Sequence, residues 1–422
     1  MEMLGARRRQ LDVRLNGWLG AIEKRLDDVL SALSMLRERE FYLRFNAAQS
    51  RYQMDEPREA LAAELCLDAG TAFGRLQGTI TSQLKIPFEH DGKTEDMPIS
   101  MVRNFCFDGD PAVRERAYHA ELAGWASIRT TVAACLNGVK GTAATLAKQR
   151  GRAAVLDAAL DQNRIDRATL DAMLGAIREY FPVFRRYLDS KAKKLGRETL
   201  PWWDLFAPLG GAERRFTWDE ARAFIVEKFG KFSPALAAFA DRAFEERWID
   251  AGPRVGKRGG AYCMGVPGIE ESRILANYDG SFEQLMTLAH ELGHAYHNEC
   301  QKGLAMSLRG TPSTLAETAS IFCETLTAEA ALVEASPAER LMILEAQLGN
   351  ATQVCVDISS RYLFETAVFA KRPQGELSAD EFCDLMKACA SRNLRPGRRS
   401  DDLSPVYVAL ETALLWARRQ FL

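Results

Sequence analysis

The chain has 422 residues, 47% of them hydrophobic and 27% charged, with a formal net charge of −2. That length allows a large core or two domains, and the near-neutral charge gives no reason to expect nucleic acid or an anionic membrane as a partner. No stretch reaches the roughly eighteen uncharged apolar residues of a membrane span, and the basic start lacks the apolar segment of a secretory signal.

Nine Cys, an odd number scattered without CxxC pairs, point to free thiols and a cytoplasmic chain. Residues 10 to 85 read as helices, with Leu11, Leu15, Leu19, Ile22, Leu26, Val29 and Leu30 at helical spacing and a charged run at 23–28 on the solvated face. Ile86 to Ile99 has Asp91-Gly92 between two extended runs, which predicts a hairpin with His90 as an exposed turn residue. Residues 109 to 196 read as long amphipathic helices, started by Asp110-Pro111 and by Asp166. His119 lies on one of them and is expected to be structural.

The period breaks at Leu200 to Gly211, a loop whose Trp202, Trp203 and Phe206 are expected to pack. Helices resume from Thr217 to about 247. Gly256 to Met264 and Arg273 to Tyr278 then read as two short strands. Gly259 and Gly260 would let another backbone approach this edge, either as part of an ordinary exposed loop or beside an added peptide strand.

Met286 to Glu299 contains His290-Glu291-Leu292-Gly293-His294, the HExxH pattern, after an Asp279-Gly-Ser281 start signal. Residues i and i+4 of a helix lie one above the other, so His290 and His294 can point both imidazoles at one metal ion. Glu291 lies about 100° round the helix, where it can take a proton from a zinc-bound water. Three of the five His fall within residues 290–297, a clustering with no packing rationale.

A catalytic zinc needs a third protein ligand. A metzincin spacing would need His at 300, which is Cys300. His297 sits about 10 Å along the axis from His290, too far to share one ion, and reads as a supporting or structural group. A carboxylate from a second helix remains. Glu317, 23 residues after His294, lies in the first turns of a predicted helix from about 311 to 324. Glu324, two turns on, is either a solvated charge or a group that orients a ligating His. Two further helical patterns follow, at about 336–372 and 378–391.

The segment from His290 to Glu299 followed by Leu315 to Glu324 resembles the thimet oligopeptidase and oligoendopeptidase F family of zinc peptidases. Gly256 to Cys263, Arg273 to Phe282 and Asp357 to Glu365 match as well, and the resemblance runs from about residue 40 to about 392. It implies a mainly α fold with a small β-sheet beside the zinc helix and a deep substrate cleft between helical lobes. It implies one Zn2+ per chain on His290, His294 and Glu317, with Glu291 as general base. It also implies short peptides as substrates, contacted at Gly259, Gly260, Ala261 and Tyr262.

The expected organisation is a helical amino-terminal region at 1–80, shorter than the family's, a catalytic domain at 81–392 and an atypical tail at 393–422. The family's Tyr- and His-rich segment, which holds the oxyanion, has no match in that tail. Codons can be chosen for the tail that, read one base later, spell segments like those of the family, so the tail is expected to be a frameshift product. Losing an oxyanion donor typically costs around 10²–10³ in turnover, so weak or absent cleavage is expected. The alternative is a relative that binds zinc and peptide without cutting.

Overall fold

The computed structural model describes residues 2–90, 92–209, 215–254, 257 and 260–394. Asp91, Gly259 and residues 395–422 of the expected frameshifted tail lie outside the described residues. The fold is mainly α with two small sheets, as expected. No helix among the described residues is long and apolar enough to cross a membrane. The chain divides into two compact units, Met1–Ala207 with Ala351–Leu422, and Pro208–Asn350.

In the first unit, α1 (Glu2–Ala21), α2 (Leu26–Ala32), α3 (Glu40–Gln49), α4 (Glu56–Asp68) and α5 (Gly70–Gln83) come first. Leu19, Leu26, Leu30 and Ala47 form a small core there, which accounts for the periodicity read from the sequence. The hairpin follows as β1 (Lys85–His90) and β2 (Lys93–Pro98), paired from Lys85 with Pro98 to His90 with Lys93. Gly92 takes φ +72, the left-handed conformation such a turn demands. His90 corrects the expectation of an exposed turn residue: it closes β1 and packs on Phe105, with ring centroids 4.5 Å apart.

Next come α6 (Ile99–Asn104), α7 (Pro111–Gln149), α8 (Val155–Asn163) and α9 (Arg167–Lys194). Both start signals work as capping chemistry predicts. Asp110 accepts from Ala112 N at 2.8 Å and Asp166 from Thr169 N at 2.7 Å. One face of α7 carries Val113, Ala117 and Trp125 against the hairpin's Ile86 and Phe88. Farther along, Val132, Leu136 and Val139 meet Phe364, Val368 and Phe382 of the returning chain. Of the three loop aromatics, Trp203 packs on Tyr118 and His119 and Phe206 on Phe107, with centroids 5.3–5.7 Å apart.

Two buried ion pairs brace this unit. Arg114 donates to Asp204 at 2.7 and 3.0 Å, and Lys140 pairs with Glu365.

The second unit runs through α10 (Trp218–Phe232), α11 (Pro234–Glu245), β3 (Ile249–Asp250), β4 (Tyr262–Val266), β5 (Glu271–Leu275) and α12 (Phe282–Cys300). It continues with α13 (Ser313–Ala316), α14 (Thr318–Glu334) and α15 (Pro337–Thr352), which leads back to the first unit. A π-helical stretch, Gln353–Asp357, then interrupts the predicted long helix before α16 (Ile358–Lys371), and α17 (Ala379–Leu394) follows.

The second sheet has the order β3-β5-β4, with β3 parallel and β4 antiparallel to β5. It flanks α12, where Asn298 donates to Ser272 Oγ at 3.1 Å. One core joins Ile225, Phe229, Phe239, Ile274, Leu285, Leu288, Leu292 and Cys323. Leu285, Leu288 and Leu292 are spaced three and four apart, so α12 turns that face inward and leaves its other face for the histidines.

Candidate active site

The start of α12 is fixed before its histidines appear. Gly280 takes φ +89 and its carbonyl accepts from Phe216 N at 2.8 Å. Ser281 then caps the helix by accepting from Gln284 N at 3.2 Å. Two turns on, His290 and His294 stand on one face, as the i, i+4 spacing predicts, with ring centroids 4.9 Å apart.

The helix that faces them begins in two steps. α13 is a single four-residue turn, Glu317 breaks it at φ −90 and ψ 2, and α14 restarts at Thr318. Glu317 is therefore a cap residue rather than part of a helical turn. That position lets its side chain reach across to α12. His290 Nε2 and His294 Nε2 each lie 3.1 Å from the same atom, Glu317 Oε2.

What brings the two helices so close is Gly293. A Cβ there would lie 2.6 Å from both Ala319 O and Ser320 Cα, so the backbone of α14 occupies the space a side chain would need. The HExxH spacing alone assigns this glycine no role. Its signal was a helix-breaking residue in the middle of a strongly periodic buried helix.

Two of the three ligand candidates, His290 and Glu317, have supporting contacts. His290 Nδ1 lies 3.2 Å from Glu324 Oε2, which leaves Nε2 to face inward. Glu324 Oε1 in turn accepts from Asn350 Nδ2 at 3.3 Å. Ser320 donates to Glu317 Oε2 at 2.8 Å. His297 is not among these groups: its Nε2 lies 3.1 Å from Gln301 Nε2, which also donates to Thr311 Oγ1 at 3.0 Å.

The electrostatics follow from that wiring. Burial alone would lower the His290 pKa, but hydrogen bonds with Glu317 and Glu324 outweigh it and lift the value to about 9. Those with His290 and His294, and then Ser320, hold Glu317 far below the usual carboxylate range. Glu291 goes the other way. It is 5% exposed and its Oε2 has no hydrogen-bond partner, so burial raises its pKa against the opposing pull of the two histidines.

His290, His294 and Glu317 form the one group among the described residues that could hold a metal ion, with ligand atoms within 4.8 Å of one another. The donor set fits zinc. Two imidazole nitrogens and a carboxylate oxygen, spaced about as far apart as neighbouring ligands of a tetrahedral ion, are a common catalytic set that leaves one position open. The unpartnered buried carboxylate of Glu291 belongs beside such a centre rather than in an apolar core.

The expected substrate contacts are placed only in part. Gly260 has φ +79 and its carbonyl accepts from Asn277 Nδ2 at 2.8 Å. Tyr262, 44% exposed, opens β4, the strand at the outer edge of the sheet. Ala261 is half-buried against the core below it.

The sequence profile of Peptidase family M3 matches residues 107–388, more than half of the chain and all of this site. The chain is 27% identical over 340 residues to Group B oligopeptidase PepB of Streptococcus agalactiae, covering 80% of this chain and 56% of that one. It is 26% identical over 248 residues to oligopeptidase PepF of Bacillus subtilis, covering 58% of this chain and 37% of that one. The chain thus spans about half the length of the curated relatives it matches. Among solved structures, oligoendopeptidase F of Enterococcus faecium superposes with a TM-score of 0.69 at 16% identity, over 99% of this chain and 73% of that one. At that identity the likeness is one of fold. The length and span of the sequence match carry the assignment, and the chain belongs to peptidase family M3.

Proposed function

We propose that this chain is a zinc-dependent endopeptidase acting on short oligopeptides. The observation that carries the reading is the convergence of His290 Nε2, His294 Nε2 and Glu317 Oε2, with buried Glu291 next to His290 in the helix and its Oε2 lacking a hydrogen-bond partner among the described residues. A bound zinc would supply a Lewis acid and make a nearby water more acidic.

The chain's own groups do the rest. His290 and His294 would hold the metal through Nε2, the metal displacing the competing proton, and Glu324 keeps the His290 ring oriented for it. Glu317 adds one carboxylate oxygen and a negative charge. Glu291 takes a proton from the attacking water and delivers it to the departing amine. Burial raises its pKa, which favours keeping the proton it takes until the amine departs.

The peptide is held by main-chain pairing along the outer edge of β4, next to Gly260, Ala261 and Tyr262. Backbone pairing leaves sequence preference loose, which suits a peptidase for varied short peptides.

The test is metal content with peptide cleavage. Zinc near one equivalent, lost in His290→Ala and in His294→Ala, together with slow but measurable cleavage of unstructured quenched fluorescent peptides, is the expected result. One tightly held zinc with no cleavage of any peptide makes the chain a zinc- and peptide-binding relative. No bound zinc overturns the reading.

A further inference from the structure

Glu317 has an unusual burden for a metal-binding side chain. It sits at a break between two helices, as the cap of both, and its side chain is 40% exposed. A Glu placed this way keeps rotatable bonds that a ligand must freeze, and freezing them costs side-chain entropy. Something else must hold it.

Three contacts meet on its Oε2: His290 Nε2, His294 Nε2 and Ser320 Oγ, at 3.1, 3.1 and 2.8 Å. When a metal is bound, the two imidazole nitrogens give their lone pairs to it and no longer serve the carboxylate. Ser320 is then the contact that remains. A carboxylate oxygen has two in-plane lone pairs. If Ser320 takes one, Oε2 has one left for the metal, and Glu317 is set as a single-oxygen donor that leaves the fourth position free.

The position of Ser320 suits this task. Its side chain is fully buried, so no water competes for the hydroxyl, and a hydrogen bond to a carboxylate in such surroundings is strong. Its backbone is locked as well, because Ser320 Cα lies only 2.6 Å from where a Cβ on Gly293 would sit. The residue at 320 must therefore be small enough to lie against α12 and polar enough to reach Glu317. Serine meets both demands.

We propose that Ser320 is a positioning residue for the metal-binding carboxylate: it holds Glu317 Oε2 from the helix-contact side and sets the distance from that oxygen to the two histidines. This rests on the zinc reading above. The competing account is ordinary helix-start chemistry, because Ser320 Oγ also lies 3.1 Å from Glu317 O, the common back-bond to the residue three before. On that account Ser320 stabilises the first turn of α14 and has no separate effect on metal.

Ser320→Ala separates the two, since alanine fits wherever serine does. Zinc affinity is measured by competition with a chromophoric chelator for wild type and Ser320→Ala, alongside melting of the metal-free proteins and the visible spectrum of each with cobalt in place of zinc. Loss of a group behind a metal ligand typically weakens binding 10–100-fold. The expected result is about tenfold weaker zinc, a changed cobalt spectrum and metal-free melting within a degree or so of wild type. Zinc affinity within twofold of wild type, or a loss matched by a fall in metal-free melting with an unchanged cobalt spectrum, overturns the proposal. A wild-type protein that holds no zinc refutes instead the reading on which it rests.

Discussion

Replacing Gly293 by alanine tests how α12 and α14 build the site. In most helices this change stabilises, by about 1 kcal/mol, because glycine is the poorer helix former. Here the new Cβ would meet Ala319 O and Ser320 Cα at 2.6 Å and Ala319 C at 3.0 Å. All three are backbone atoms and cannot swing away. To reach an ordinary contact of about 3.4 Å the helices must part by roughly 0.8 Å, which forfeits a quarter to a half of each dispersion contact along the seam. Overpacking of this kind costs about 1–3 kcal/mol, so the helix-propensity gain is cancelled or reversed and the net change is a loss of up to roughly 2 kcal/mol.

That loss should appear in urea unfolding and as a fall in melting temperature of about 2–4 °C per kcal/mol. Metal affinity should fall further than stability does. The same shift of roughly 0.8 Å would be added between Glu317 Oε2, at the start of α14, and the nitrogens of α12, and metal sites tolerate only about 0.5 Å of error. Gly175 in α9 is the control, because a Cβ there meets nothing within 4 Å. Gly175→Ala should stabilise by about 0.5–1 kcal/mol. A Gly293→Ala protein as stable as wild type, with wild-type zinc affinity, would refute the packing argument.

Two further predictions rest on the charges. Without metal, the His290 pKa lies at about 9, above its unfolded value, so its contribution to stability is complete below about pH 6.5 and lost as pH rises to 9. Metal-free protein should melt lower at pH 9 than at pH 6.5, less so in His290→Gln, while zinc affinity rises over the same interval as the competing proton leaves. In the first unit, Lys140→Met would leave Glu365 buried without its cation, although Glu365 Oε1 already has no hydrogen-bond partner. That single change should cost about 3–5 kcal/mol in urea unfolding, and adding Glu365→Leu should recover most of it.

Much of this was legible in the sequence, wherever spacing alone determines geometry. The i, i+4 histidines, the left-handed turn at Gly92 and the Asp-started long helices all follow from local rules, and Glu317 could be reached by asking what a third ligand requires. Elements set by tertiary contact were harder to read. The Pro312-Ser313 start suggested one helix, but the chain makes a single turn and restarts after Glu317, which no residue type announces.

β3 has only two residues and exists because β5 lies beside it, so it has no periodicity to detect. The expected strand ends shifted to Tyr262–Val266 and Glu271–Leu275, since Pro267 and Gly268 belong to the turn between them. Ser320 drew no notice because a serine in a first helical turn is common. Its role depends on which backbone lies against it.

The most direct test of the central claim is Glu291→Gln, assayed for zinc content and for cleavage of an unstructured peptide beside wild type. Glutamine keeps the shape of the buried side chain and removes its ability to accept a proton. The account predicts one equivalent of zinc in both proteins, cleavage by wild type, and a loss of at least about 10²-fold in the variant. Cleavage by Glu291→Gln at the wild-type rate would contradict it.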